Sequence, residues 1–213
     1  MENIFDINGV FVNTERLVLS DINESEHDEY IKLLNDESRK AVAAMDNINR
    51  DAEKELNACY NDNEAYFIRL SEHKENTVVT MTIRENGAFC GYCQLRGTDK
   101  KLPEIFVDIA EENRGKGIGF ETAKAVAEKA REIFNAEGFK ALIDVHNAPA
   151  VKIAEKLNAE KNEDIVREKY GEMYDQSKAL RAMILEKYGD DENNPMLPLL
   201  TQLATLPEGY IIK

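Results

Sequence analysis

Arg114-Gly115-Lys116-Gly117-Ile118-Gly119 places three glycines at alternate positions between the apolar run Ile105 to Ile109 and a long helical pattern. Glycine tolerates positive φ, so such a segment can turn successive backbone N–H groups toward one point. A helix starting there adds the positive end of its dipole. The chemistry is that of a pyrophosphate cradle, and the expected ligand is a phosphorylated cofactor; a plain glycine-rich turn is the simpler alternative. Spacing separates the loop from familiar phosphate binders. A P-loop needs Ser or Thr after its lysine, to reach magnesium, whereas Lys116 is followed by Gly117. The dinucleotide fingerprint Gly-x-Gly-x-x-Gly fails because Phe120 and Thr122 stand where its last glycine would be. What remains is Arg/Gln-x-x-Gly-x-Gly/Ala, matched by Arg114, Gly117 and Gly119.

Other reactive side chains give weaker signals. Cys90 and Cys93 form C-x-x-C, but within a strand-like run where a separation of three puts side chains on opposite faces. With three cysteines and no second pair, neither a metal nor a redox site is expected, and the thiols fit a reducing compartment. The 213 residues carry 41 acidic against 27 basic side chains, a net charge of −14. That balance disfavours nucleic acid and is compatible with cationic substrates, although solubility explains it more simply. The acidic stretch from Asp21 to Glu37 reads as a solvated helix face. The chain's first residues lack a signal-peptide pattern, and no stretch approaches the roughly 18 apolar residues of a membrane span. A cytoplasmic protein with no membrane partner is expected.

The elements that must position the loop follow from periodicity. Glu15 to Ser20 reads as a first strand and Glu26 to Asn35 as a helix turning Tyr30, Leu33 and Leu34 inward. A second helix is expected over Arg50 to Asn57, then strand-like runs at Ala65 to Leu70, Thr77 to Arg84 and Ala88 to Leu95. Asn86-Gly87 between the last two is a hairpin signal. Glu104 to Ala110 is the strand feeding the loop. The helix after it, Gly119 to Ala136, carries Phe120, Ala123, Val126 or Ala127, Ala130, and Ile133 or Phe134 on one stripe, with Gly138 as its stop. Phe139 to Val145 is a buried strand, so strand, loop, helix and strand form a crossover unit. Asn147-Ala-Pro-Ala150 opens another helix, with proline in its first turn. The fold class is α/β with a mixed sheet.

The Arg114 to Gly119 loop resembles the acetyl-CoA loop of the GNAT N-acetyltransferase superfamily, and three other segments extend the resemblance over residues 14 to 160. Thr14 to Leu19 resembles the opening strand of the RimJ/RimL-like branch, and Glu104 to Ala110 its fourth strand. Asn147, Ala150 and Glu155-Lys156-Leu157 match the Asn-x-x-Ala/Ser…Glu-Lys-Leu signature after the fifth strand. The resemblance implies a GNAT fold: a mixed, mostly antiparallel central sheet flanked by helices. Residues 1–160 would form the acetyltransferase core and residues 161–213 an atypical C-terminal extension packed on the same domain.

What the family implies can be carried residue by residue. The cosubstrate would be acetyl-CoA, its pantetheine pairing with the backbone around Val107 to Ile109 where the fourth and fifth strands splay. Its pyrophosphate would lie on Arg114, Gly115, Lys116, Gly117, Ile118 and Gly119. Asn147 would hydrogen-bond the pantetheine arm, cap the next helix, or do both. No metal is needed, since backbone N–H groups freed at the splay could stabilise the developing oxyanion. Glu104 is the first choice to take the proton from the amine, through a water, and Asp108, on the same face four residues on, is the second. The plainer readings are an exposed strand end for Glu104 and a partnered buried carboxylate for Asp108. A lysine acceptor costs about 4–5 kcal/mol to deprotonate near pH 7 and a terminal α-amine only about 1.

Two departures mark this chain. Ala154 stands where many superfamily members carry a tyrosine that protonates the leaving thiolate, and Asn158-Ala159 replaces a common Gly-Phe, although Asn158 can still cap in the left-handed conformation. Glu172 to Lys187 reads helical with Met173, Leu180 and Ile184 on one side, followed by an exposed connection and an apolar run from Leu197 to Leu206. These residues would cover a sheet edge, line the substrate side or build a homodimer contact. The expected activity is acetyl transfer to a primary amine, of a protein N-terminus or a small molecule, by direct attack. The alternative is a GNAT-fold module that binds CoA, or nothing, and acts through protein contacts.

Overall fold

A computed structural model describes residues 4–43, 51–72, 76–189 and 205–213. The chain divides into two compact units, Met1–Ala136 and Glu137–Lys213.

The first unit is built on five antiparallel strands that neighbour one another in chain order: β1 (Val10–Asn13), β2 (Leu17–Asp21), β3 (Val78–Glu85), β4 (Ala88–Arg96) and β5 (Glu104–Ile109). Alternation sends Leu17 and Leu19 inward, both at most 1% exposed, and leaves Val18 between them at the surface. Glu85 and Ala88 close a two-residue turn in which Asn86 and Gly87 take φ of 52° and 80°. Two positive φ values make the primed turn whose twist suits a hairpin, as Asn-Gly predicts.

Helices α1 (His27–Ala43) and α2 (Ala52–Ser71) pack together. Tyr30, Leu33, Phe67 and Leu70 form a core with Tyr92 of β4, and Phe106 of β5 packs against it. Both helices differ from expectation. The first runs on to Ala43, and the second absorbs Ala65 to Leu70, where the sequence pattern predicts a strand. Tyr66, Phe67 and Leu70 are spaced i, i+1, i+4, which is the inward stripe of a helix as readily as a short apolar strand. Asp51 starts that helix by accepting the Lys54 N–H at 3.1 Å.

The acidic stretch is not all solvated. Glu26, 2% exposed, accepts from the Thr82 hydroxyl at 2.6 Å, from Arg84 Nη2 at 3.0 Å and from the Asn23 N–H at 3.1 Å, so a buried carboxylate ties the start of α1 to β3. Helix α3 (Ile118–Phe134) buries Ile118, Ala123, Val126, Ala127 and Ala130 and packs on β1, β2 and β5. Asn135, at φ 51°, caps it three residues before the expected Gly138.

In the second unit β8 (Glu208–Ile212) lies between β6 (Phe139–Ile143) and the two-residue β7 (Glu160–Lys161), antiparallel to both. Helix α4 (Ala148–Lys156) places Ala154 in a core with Ile143 and Tyr210. Asn158 takes φ 53° after it, as expected of the asparagine cap. Helices α5 (Glu163–Tyr170) and α6 (Glu172–Tyr188) follow. Gly209 is required by space, since a Cβ there would stand 2.5 Å from Asn162 O and 3.0 Å from Ile165 Cβ at the start of α5. Helix α6 matches the predicted span, but its inward set does not. Tyr174 and Ile184 are buried, whereas Met173 and Leu180 are 59% and 47% exposed, because a heptad pair lies on a face that α5 does not cover. The apolar run at 197–203 lies outside the described residues. Among the described residues no helix is long and apolar enough to cross a membrane.

Candidate active site

Strand β5 carries both candidate carboxylates and leads into the glycine loop. Its even residues Glu104, Phe106 and Asp108 pair with Arg96, Gln94 and Tyr92 of β4, all on the face that α1 and α2 cover. Glu104 and Asp108 therefore share a face, as strand alternation predicts, but they meet different cations. Glu104 pairs with Arg96 at 3.3 Å, and that guanidinium is itself held by Gln94 Oε1 at 2.6 and 2.9 Å and stacked over Phe106. Asp108 lies 3.6 Å from Arg114.

The last pair of the β4–β5 ladder is Gly91 with Ile109. Cys90 is the extra residue of a bulge there, since Ile83 pairs with Gly91 and Arg84 with Phe89. Gly91 takes φ 145°, and its bare α-carbon lets the backbone of Asp108 and Ile109 approach. Cys90 and Cys93 are both buried, because both sheet faces are covered, and burial pushes both thiols up and keeps them protonated.

Beyond β5 the chain makes one 3-10 turn over Glu111–Asn113 and enters the glycine loop. Gly115 and Gly117 hold φ of 76° and 82°, so both need glycine for conformation. Space is not the reason. A Cβ at Gly115 would touch nothing within 4 Å, and one at Gly117 only Arg16 Nη2 at 3.5 Å. The first bond of α3 runs from Glu121 N–H to Gly117 O, so the N–H groups of Ile118 and Gly119 begin the helix without an acceptor four residues back. Left-handed glycines leading into an α-helix leave an open, N–H-lined surface, which fits a pyrophosphate.

The Arg114 guanidinium faces away from this surface. Its Nε donates to Ile109 O at 2.7 Å and its Nη2 to Glu37 Oε1 at 2.8 Å. Lys116 donates to Asn113 Oδ1 at 3.0 Å. Asn147 belongs to the second unit and caps α4, accepting from the Ala150 N–H at 3.1 Å.

Electrostatics single out Asp108. Burial, then the neighbouring Glu37 carboxylate, raise its carboxyl to about 6, against the opposing pull of Arg114 and Lys40. Burial also pushes Glu37 up, but hydrogen bonds from Arg114 and Lys40 outweigh it and hold that carboxyl below its usual range. Tyr92, opposite Asp108, stays neutral because burial raises its phenol far above neutrality.

Sequence reasoning missed two supports. Arg16, within the Thr14 to Leu19 segment and just before β2, donates to Lys116 O at 2.9 Å, to Glu121 Oε2 at 2.7 Å and to Glu85 Oε1 at 3.0 Å, bracing the glycine loop. Helix α1 meets the approach to the loop through three ion pairs: Lys32 with Glu112 at 3.7 Å, Glu37 with Arg114 at 2.8 Å, and Lys40 with Glu111 at 2.9 Å. The signal was present as complementary charge order, plus-minus-plus on α1 against Glu111, Glu112 and Arg114, but nothing local said that the two segments meet.

The model of the acetyltransferase (GNAT) domain matches residues 16–160, and the chain therefore belongs to the GNAT acetyltransferase family, a class of acyl-transferring enzymes. Three solved structures illustrate the likeness. One is the spermidine N-acetyltransferase from Vibrio cholerae in complex with CoA and spermine, at 17% identity over 70% of this chain and 83% of that one, TM-score 0.50. The microcin C7 self-immunity acetyltransferase MccE, in complex with acetyl-CoA and AMP, is 13% identical over 74% and 86%, TM-score 0.58. RimL, the ribosomal L7/L12 α-N-protein acetyltransferase in complex with CoA, is 13% identical over 72% and 85%, TM-score 0.53. At these identities the likeness is one of fold. No curated protein sequence matches the chain significantly.

Proposed function

We propose that this protein transfers acetyl from acetyl-CoA to a primary amine, of a protein N-terminus or a small molecule, by direct attack in the cytoplasm. One observation carries the reading: two left-handed glycines, at φ 76° and 82°, lead from the end of β5 into the N-terminus of α3. The loop amides from Gly115 to Gly119 hold the pyrophosphate, Arg16 keeps the loop in shape, and the Val107 to Ile109 backbone orients the pantetheine. When bound, acetyl-CoA supplies the electrophilic thioester carbonyl and a thiolate leaving group. The amine nitrogen forms the new C–N bond as the C–S bond breaks, and its proton passes to a carboxylate on β5.

Of the two candidates, Asp108 is favoured by its surroundings, while Glu104 is engaged by Arg96 at 3.3 Å. A carboxyl at about 6 is matched to an α-amine. The transfer is uphill by about 2 pKa units from an α-amine near 8 and by about 4 from a lysine near 10.4, or roughly 3 against 6 kcal/mol. An α-amine is therefore the acceptor class proposed. Calorimetric titration with acetyl-CoA should show saturable binding that Gly117→Leu abolishes. Absence of binding at millimolar acetyl-CoA, or retained affinity in the variant, would sink the cradle.

A further inference from the structure

Arg114 serves three acceptors from one guanidinium. Its Nε is fixed on Ile109 O at 2.7 Å, and its Nη2 lies 2.8 Å from Glu37 and 3.6 Å from Asp108. The nearer carboxylate takes the hydrogen bond, and Asp108 keeps Arg114 only as the more distant ion pair at 3.6 Å. Glu37 is itself steadied by Lys40, at 3.1 Å, which spans to Glu111. We propose that Glu37 is a positioning residue for acetyl transfer: by claiming Arg114 it keeps the guanidinium on the Ile109 carbonyl and off Asp108, leaving that carboxylate open to the incoming amine. The inference rests on Asp108 as the proton acceptor of the proposed function.

Removing Glu37 has two effects of one sign. Arg114 loses its nearest carboxylate and closes on Asp108, and the negative charge that disfavours ionisation of Asp108 disappears. Both lower the proton affinity of Asp108. Removing Arg114 acts oppositely, leaving Asp108 facing Glu37 alone. The other groups facing Asp108 are Lys40 from α1 and Tyr92 from β4, and neither changes charge near neutrality. These ion pairs are partly exposed, so the expected displacement is at the low end for a neighbouring charge, about one pH unit.

The test is a carboxyl 13C NMR titration of the full chain, with the Asp108 resonance assigned by its loss in Asp108→Asn. Glu37→Gln should move the Asp108 midpoint down by about one unit and Arg114→Gln should move it up. Glu37→Asp, which keeps the charge, should stay near the parent. An unchanged midpoint in Glu37→Gln, or displacement of both neutral variants in the same direction, would overturn the proposal. The NMR readout needs no turnover. The acid limb of kcat/KM should follow the same order, and a limb indifferent to Asp108→Asn would instead refute Asp108 as the base, without touching the Glu37–Arg114 coupling.

Discussion

Replacing Gly91 by alanine tests the closest approach in the site. A Cβ at residue 91 would fall inside the van der Waals envelope of the Asp108 carbonyl oxygen and 2.9 Å from Ile109 Cα, and φ 145° is a conformation that side chains other than glycine's rarely adopt. Backbone strain of this kind costs roughly 1–3 kcal/mol and overpacking a further 1–3, so the expected loss is about 2–6 kcal/mol. Against a total stability of about 5–15 kcal/mol that is a large fraction. At about 2–4 °C per kcal/mol the midpoint of thermal unfolding should fall by roughly 8–16 °C for a loss near the centre of the range. Gly117→Ala is the control. It also sits at positive φ, 82°, but its Cβ would meet only a side-chain tip, so it should cost about 1–2 kcal/mol. Urea and thermal unfolding of the two variants compare them directly. If Gly91→Ala were no less stable than Gly117→Ala, close packing of β4 on the Asp108–Ile109 backbone would be refuted. Because the strain acts on the peptide that carries Asp108, the variant should also lose acetyl transfer at temperatures where it remains folded.

Arg16→Met should weaken acetyl-CoA binding by a few-fold, since the loop loses the side chain that hydrogen-bonds its Lys116 carbonyl from an exposed position; unchanged calorimetric affinity would remove Arg16 as a brace. His27 donates to Asp28 and Glu64, and these bonds raise its folded pKa. That stabilisation is complete below the unfolded value of about 6.5 and is lost as pH rises through the folded one. His27→Gln should therefore be destabilised more at pH 5.5 than at pH 8.5 in urea titrations, and a pH-independent difference would contradict the sign.

How much could be read from the chain depended on whether the signal was local. The glycine loop, the Asn86-Gly87 hairpin and the Asn147 cap with its proline each declare a backbone conformation within a few residues, and all three stand in the structure. The C-terminal half of helix α2 does not declare itself, because Tyr66, Phe67 and Leu70 make a segment too short to reveal its period. The two exposed residues of β7 carry no pattern at all. Most of what braces the loop and surrounds the candidate base was also out of reach. Arg16, Glu37 and Lys40 look like solvated charge in sequence, and only folding shows that each has a partner far along the chain. Ala154, where the family often has tyrosine, is a core residue at 3% exposure, so its environment is built for a methyl group.

The place of β8 between β6 and β7 has a consequence for how the chain is made. A ribosome releases β6 and β7 well before residues 208–212, the strand to which both are hydrogen-bonded. Until then the β8-facing edge of β6 exposes unpaired N–H and C=O groups, and β7 has no ladder to join. The first unit suffers no such delay, because each of its strands finds its neighbour next in chain order. Synthesis thus yields a nascent chain with a sheet ready at one end and an unfinished strand edge at the other, the kind of intermediate that chaperones shield from aggregation.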